Sequence, residues 1–113
     1  MATLYGISNC NTVKKAKDWL QENNIAFQFH DYRKQGLSAE LLASLEETVG
    51  WEKLLNKQST SWRKLSDEQK GNISKQTALE FMLETPTLIK RPVLDTGDKM
   101  IVGFKAENYQ KEL

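Results

Sequence analysis

Cys10 is the residue whose type and position are best suited to nucleophilic chemistry. It is the only cysteine, and it lies between Asn9 and Asn11 in a polar turn that joins an apolar run to a helical pattern. The free backbone N–H groups and the positive dipole end at a helix start favour a thiolate there. Lys14 and Lys15 add positive potential one turn further along. The alternative interpretation is a small buried apolar side chain, as free cysteines often are. Spacing alone leaves both open.

A second candidate is the dipeptide Arg91-Pro92, which stands just ahead of a predicted strand. An X-Pro bond in such a place can be cis, in a constrained turn that exposes the backbone of the preceding residue. If this turn faces Cys10, Arg91 could stabilise the thiolate or hold an anion. The alternative is an ordinary edge-strand proline beside a solvated arginine.

Length and composition exclude several kinds of protein. The chain of 113 residues is long enough for one domain, and its 39% apolar and 27% charged residues are typical of a globular protein. A net charge of +1, with basic and acidic residues interleaved, predicts no direct binding of nucleic acid. No apolar run approaches the roughly 20 residues of a membrane span, and the first residues lack the plan of a signal peptide.

The single cysteine also limits the chemistry. One cysteine cannot form an internal disulfide, so we expect a reducing, cytoplasmic location. Together with a single histidine, His30, it supplies too few ligands for a structural zinc site. We interpret His30 as structural, and we expect Asp31 and Arg33 to form a weak local surface pair.

The elements that must position Cys10 are a strand, a helix and a second strand. Residues 3–7 form an apolar run, and residues 11–24 carry apolar side chains at helical spacing. Residues 25–31 alternate between apolar and polar, with Ile25, Phe27 and Phe29 on one side. This order predicts a βαβ unit whose two strands are parallel.

The middle of the chain is predicted to be mainly helical. Capping residues and apolar spacing indicate helix starts at serines and a stop at glycine. The predicted order is a helix from Ser38 to Gly50, a turn at 51–55, a loop at 56–61, a short helix after Ser66 and a helix from Ser74 to about residue 84. Residues 38–85 are therefore expected to be a helical insertion.

Two strands and a helix are predicted to complete the chain. Residues 88–94 are expected to lead into the third strand, followed by a hairpin turn at 95–98, the fourth strand at 99–103 and the last helix at 105–113. The order predicts an α/β (α+β) fold. It has a thioredoxin- or glutaredoxin-like four-stranded mixed sheet and forms a single domain, residues 1–113, with the helical insertion.

Six ordered motifs make the whole chain similar to a known family. They are YGISNCNTVKKA (5–16), FHDYR (29–33), LLN (54–56), TSWRKL (60–65), LIKRPV (88–93) and VGF (102–104). Together they resemble the ArsC/Spx family, and most closely its YffB-type branch. The resemblance implies a thioredoxin-like fold with a helical insertion, a nucleophilic Cys10, a cis Pro92, and Arg91 near the thiol.

The chain departs from the family pattern at several positions. The family's glutaredoxin-coupled arsenate reductases bind the oxyanion with three arginines, of which only Arg91 is present, because Asn56 and Gly103 stand at the other two positions. Each missing charge-assisted hydrogen bond is worth about 1.5–3 kcal/mol, so we expect poor arsenate reduction. Val13 replaces the second cysteine that Spx regulators use as a disulfide switch, and Ala16 excludes the Cys-x5-Arg loop of phosphatase-like reductases.

These features predict an enzyme, a glutathione-dependent monothiol reductase. Cys10 would attack a small-molecule or protein disulfide and form a mixed disulfide, which a second glutathione or a glutaredoxin resolves. No bound cofactor is expected, since glutathione is a co-substrate, and we expect a monomer without membrane association. The alternatives are a regulatory protein that binds RNA polymerase or another partner in the manner of Spx, and a genuine glutaredoxin-coupled arsenate reductase.

The predicted site contains two catalytic residues, Cys10 and Arg91. The backbone beside Pro92 is expected to pair with a bound peptide such as glutathione, and Arg91 or Lys14 to bind its carboxylate. The predicted glutathione-binding residues are Asn9, Asn11, Thr12, Lys14, Arg91, Pro92 and Gly103.

Overall fold

A computed structural model describes all 113 residues as a mixed α/β structure with four strands and seven helices. The strands are β1 (Ala2–Gly6), β2 (Phe27–Asp31), β3 (Val93–Asp95) and β4 (Met100–Val102). The helices are α1 (Asn11–Glu22), α2 (Ala39–Val49), α3 (Trp51–Leu54), α4 (Thr60–Arg63), α5 (Asp67–Gly71), α6 (Lys75–Glu84) and α7 (Ala106–Glu112), and Pro86–Leu88 form a 3-10 turn.

The chain divides into two compact units. The sheet unit consists of residues 1–36 and 91–113, and the helical unit consists of residues 37–90. The predicted insertion (38–85) falls within the helical unit. That the whole chain behaves as one domain stays a prediction.

The sheet confirms the predicted thioredoxin-like mixture of parallel and antiparallel strands. Its strand order is β2-β1-β3-β4. β1 pairs with β2 in parallel, so that Gly6 lies opposite Asp31 at their carboxyl ends. β3 pairs with β1 and with β4 in antiparallel fashion, which confirms the hairpin at the end of the chain.

The core of the sheet unit explains why α1 forms where it does. Val13, Ala16 and Leu20 recur on one face of α1 and are fully buried against Leu4 and Leu94 of the sheet. This is the amphipathic pattern of a helix that covers one side of a sheet. The packing holds the start of α1, and therefore Cys10, at the carboxyl end of β1.

The helical unit follows the predicted capping residues. The side chains of Ser38, Ser66 and Ser74 accept hydrogen bonds from the first turns of α2, α5 and α6. Gly50 ends α2 with a positive φ of 91°, a conformation that glycine adopts without strain. The buried apolar residues of this unit are Leu42, Leu45, Leu54, Leu55, Ala78, Met82, Leu88 and Ile89.

One prediction for residues 56–94 was wrong in its bounds. Residues 60–63 form the single-turn helix α4 rather than the end of a loop, with Ser59 as its cap. The third strand begins at Val93, so residues 88–92 lead into it as predicted, with Pro86–Leu88 in the 3-10 turn and Ile89 in an isolated bridge with Leu55. None of the helices is long and apolar enough to cross a membrane.

Candidate active site around Cys10

Cys10 occupies the N-cap position of α1. Its backbone is extended (φ −148°, ψ 121°), and its carbonyl accepts the first helical hydrogen bond, from the Lys14 N–H at 3.0 Å. The thiol is free and half-buried, packed against the core of the sheet unit. This combination of partial burial and a helix start is the environment in which cysteines are reactive.

Three hydrogen-bond donors converge on the Cys10 thiol. Burial raises the pKa of this thiol, but the backbone N–H of Val13, the Arg91 side chain and the backbone N–H of Thr12 together lower it by more, and the charge of Arg91 lowers it further. The pKa of Cys10 is therefore below its ordinary value. The donors stabilise the thiolate because each presents positive charge to the sulfur.

Arg91, Pro92 and Gly103 lie together at the entry to the hairpin. The Arg91–Pro92 peptide bond is cis, as the family resemblance implies. The Gly103 N–H donates to the Pro92 carbonyl at 2.8 Å, and Gly103 has a φ of +79° that side-chain-bearing residues rarely adopt. Pro92 is buried and Arg91 is half-buried. The structure thus brings Arg91 to Cys10, which spacing alone left open.

The other predicted binding residues lie around the turn. Asn9, Asn11, Thr12 and Lys14 are all exposed, and Lys15 is exposed beside them. Of these, Thr12 contacts the thiol through its backbone. Their predicted roles in binding glutathione stay predictions.

Asn56, which stands at the position of a family arginine, belongs to the helical unit and shapes a local turn. Its Oδ1 accepts from the Gln58 N–H at 3.1 Å, and its carbonyl accepts from the hydroxyl of Ser59 at 2.8 Å. Its own N–H donates to the Leu88 carbonyl at 2.8 Å. A neutral amide used in this way does not replace a guanidinium as an anion clamp.

Asp31 and Tyr32 are two neighbouring residues at the end of β2 whose burial was not predicted. Asp31 is buried, and its carboxylate accepts from the backbone N–H groups of Ser8, Arg33 and Lys34, so the predicted weak Asp31–Arg33 surface pair was wrong. Tyr32 is 2% exposed, and the structure gives its hydroxyl no hydrogen-bond partner. The signal for Asp31 was present, since it ends a strand predicted to be parallel to the one that leads to Cys10.

His30 of β2 contacts residues of the sheet unit only. The Nε2 of His30 lies 2.8 Å from the Gly36 carbonyl, and its ring contacts Tyr5 and Tyr32. These contacts agree with the structural role expected for His30. No group of three or more His, Cys, Asp or Glu side chains is arranged to hold a metal ion.

Gly6 is a further residue that the sequence did not single out. A Cβ atom at Gly6 would lie 2.8 Å from Cγ2 of Val13, closer than such atoms approach in proteins. The end of β1 can therefore reach the first turn of α1 only with glycine at this position. Val13 is the same residue whose N–H donates to the thiol.

The family model described as ArsC family matches residues 5–112. Among curated proteins, an uncharacterized protein of Haemophilus influenzae is 47% identical over 110 residues, which cover 97% of this chain and 96% of that protein. The global transcriptional regulator Spx of Enterococcus faecalis is 29% identical over 115 residues, which cover 100% of this chain and 86% of the regulator.

Solved structures give the same result. A protein named YFFB is 42% identical and superposes with a TM-score of 0.91, covering 98% of this chain and 97% of its own. A protein of Brucella melitensis described as related to an arsenate reductase (ArsC) is 46% identical, with a TM-score of 0.83 and coverages of 97% and 92%. The fold and the predicted family resemblance are confirmed.

Proposed function

The chain belongs to the ArsC family, and from this premise we propose that it is a glutathione-dependent monothiol reductase with Cys10 as its nucleophile. The observation that carries the proposal is the convergence of the Val13 N–H, the Thr12 N–H and the Arg91 side chain on one half-buried thiol. A sulfur used only for packing gains nothing from three donors. A thiolate nucleophile needs them at neutral pH.

The proposed reaction is a two-step thiol–disulfide exchange. The Cys10 thiolate attacks one sulfur of a substrate disulfide, the S–S bond breaks, and the leaving thiolate takes a proton from water. Cys10 is now in a mixed disulfide. A thiolate of glutathione or of a glutaredoxin attacks the outer sulfur of this mixed disulfide and releases Cys10 as a thiolate. The outer sulfur leaves joined to the resolving sulfur, and a second thiol outside this chain attacks that disulfide to complete the reduction. Two external thiols therefore supply the two electrons, since the chain has no second cysteine.

The residues around the thiol have proposed binding roles that follow from their chemistry. The backbone beside the cis Pro92 pairs with the extended glutathione peptide. Lys14 or Arg91 binds one of its carboxylates, and the exposed amides of Asn9 and Asn11 hydrogen-bond its polar groups. The Gly103 N–H holds the Pro92 carbonyl by a hydrogen bond and so fixes this backbone.

The mass of the protein after incubation with oxidised glutathione tests the proposal. We expect one glutathionyl group on Cys10 at neutral pH, and its removal by excess reduced glutathione. The Cys10→Ser variant is the control and should gain no mass. Absence of an adduct on the wild-type protein would contradict the proposal.

Arsenate is expected to be a poor substrate, although a related protein is described by reference to an arsenate reductase. Asn56 is neutral and engaged in a turn, and Gly103 has no side chain, so two guanidinium groups are lacking. Arsenate turnover with glutathione and glutaredoxin should match that of Cys10→Ser. A rate well above that of the variant would identify a genuine arsenate reductase instead.

A regulatory role is the second candidate function, and the similarity to the Spx regulator favours it. In that case the thiol is dispensable and the protein acts by binding RNA polymerase or another partner. Cells that carry Cys10→Ser in place of the wild-type protein distinguish the two. Loss of function supports the reductase, whereas full function together with recovery of a polymerase subunit in a pull-down supports the regulator.

A further inference from the structure

Asp31 is a buried charged residue that is distant in sequence from Cys10 and Arg91. It ends β2, it is 3% exposed, and it is the only charged residue in the buried set. A carboxylate is expensive to bury unless hydrogen bonds compensate the lost hydration. Its presence at this edge of the sheet therefore requires an explanation.

The carboxylate connects two segments that are distant in sequence. Oδ1 accepts from the backbone N–H groups of Arg33 at 2.8 Å and Lys34 at 3.3 Å, which closes the local turn after β2. Oδ2 accepts from the N–H of Ser8 at 3.0 Å, two residues before Cys10. One oxygen thus serves its own turn, and the other holds the turn that presents the thiol.

Two further hydrogen bonds support the link between the end of β2 and the Cys10 turn. The Tyr32 N–H donates to the Gly6 carbonyl at 2.9 Å, which extends the β1–β2 pairing by one bond beyond the strands. The Asp31 N–H donates to Oε1 of Gln35 at 2.8 Å. Ser8 itself is exposed, and its side chain also hydrogen-bonds Asp31, so the carboxylate anchors both the backbone and the side chain of this residue.

We propose that Asp31 is a positioning residue for Cys10. By holding the Ser8 N–H, its carboxylate fixes the path from Gly6 to the helix start and keeps the thiol among its donors. Asp31 does not act on the thiol or on the substrate directly. The inference deepens the proposed function and rests on it, because it concerns the reactivity of the same thiol.

The Asp31→Asn variant distinguishes the roles of the two carboxylate oxygens. Asparagine keeps an acceptor for the Arg33 and Lys34 N–H groups, as it does in many turns of this kind. Its amide nitrogen then faces the Ser8 N–H, and two donors cannot bond, whereas the Ser8 hydroxyl that also contacts this side chain can still accept. The local turn survives while the backbone link to the Cys10 turn is lost.

The sign of the change in the Cys10 pKa decides between positioning and simple electrostatics. Loss of a nearby negative charge alone would favour the thiolate and lower the pKa. Loss of positioning moves the sulfur away from its donors and raises it. We expect Asp31→Asn to raise the pKa by at least about half a unit, a threefold change in the ionisation constant.

Asp95 offers a matched control in the same sheet unit. It ends β3, and its Oδ1 accepts from the Gly97 N–H at 2.9 Å in a turn far along the chain from Cys10. Asp95→Asn makes the same chemical change without touching the Ser8 link. Its thiol pKa should equal that of the wild-type protein.

The experiment follows the pH dependence of Cys10 alkylation by iodoacetamide, together with urea unfolding of each variant. An unchanged or lowered pKa in Asp31→Asn would overturn the proposal, even if the variant is less stable. Should Asp31→Asn not fold, Asp31→Glu replaces it, because glutamate keeps the charge and displaces the carboxylate. A wild-type pKa in that variant would also overturn the proposal. Failure of the proposed function shows differently, as a wild-type protein that forms no glutathione adduct.

Discussion

Arg91 is the side chain whose removal tests the electrostatics of the thiol most directly. It donates a hydrogen bond to Cys10 and attracts the thiolate by its charge, and both contributions lower the thiol pKa. We expect Arg91→Gln to raise that pKa by about one unit. The thiolate fraction at neutral pH, and with it the rate of glutathione adduct formation, should fall.

The measurement is the ultraviolet absorbance of the thiolate against pH. Arg63→Gln is a suitable control, because Arg63 is an exposed arginine of the helical unit. A thiol pKa that shifts equally in both variants would show that net charge, rather than the contact with Arg91, sets the ionisation of Cys10.

Gly6 tests how closely β1 and α1 approach beneath the thiol. Alanine at this position would place its Cβ 2.8 Å from Cγ2 of Val13, whose side chain is fully buried. Overpacking of a core contact costs about 1–3 kcal/mol, so the free energy of unfolding of Gly6→Ala should fall by that amount.

Gly71→Ala provides the contrast to Gly6→Ala. A Cβ at Gly71 meets no atom within 4 Å, so alanine there should leave stability unchanged or raise it by about 0.4–1 kcal/mol. Urea unfolding of both variants checks the pair. Equal effects would mean that the clash with Val13 relaxes without cost.

At the scale of elements, the helix caps were the most predictable feature. Ser74 and Thr77 form a capping box at the start of α6, with the Thr77 N–H donating to the Ser74 hydroxyl at 3.3 Å. We expect Ser74→Ala to destabilise the protein by about 1 kcal/mol. Ser44 is an exposed serine within α2, and Ser44→Ala should have little effect on the urea midpoint. A comparable loss in both variants would contradict a capping role for Ser74.

Elements with a strong local signal were predicted, and elements that depend on distant contacts were not. The amphipathic face of α1 and the alternation in β2 were visible because burial imposes their periods. Helix α4 spans a single turn, Thr60–Arg63, too short for a period to appear. The bridge between Leu55 and Ile89 was not predicted, because it joins residues that are distant in sequence and no local pattern encodes the pairing.

The candidate site shows the same division. Cys10 at a helix start could be read from spacing, whereas its contact with Arg91 required the family resemblance, since the two lie in separate segments. The burial of Asp31 was not predicted, because an acid two residues from an arginine usually forms a solvated pair. Its burial follows from three backbone N–H partners, one of which is brought by the parallel pairing of β1 and β2.

At the scale of the whole molecule, two buried phenols shape the alkaline limit of stability. Burial, and for Tyr32 also the neighbouring Tyr5, raises the pKa of Tyr32 and Tyr109 above the ordinary value, although Arg91 partly offsets this for Tyr32. A group whose pKa is raised by folding contributes stability that is complete below its unfolded pKa. That contribution is lost as the pH rises further. We therefore expect the free energy of unfolding to fall above about pH 10.

The double variant Tyr32→Phe/Tyr109→Phe tests this limit. The structure gives neither hydroxyl a hydrogen-bond partner, so their removal should change stability at pH 7 by no more than about 1 kcal/mol. Above pH 10 the variant has no buried phenol to ionise and should lose less stability than the wild-type protein. Urea unfolding at pH 7 and at increasing alkaline pH measures both effects. An equal fall in the free energy of unfolding of both proteins above pH 10 would mean that other groups cause it, because the proteins differ only in the two hydroxyls.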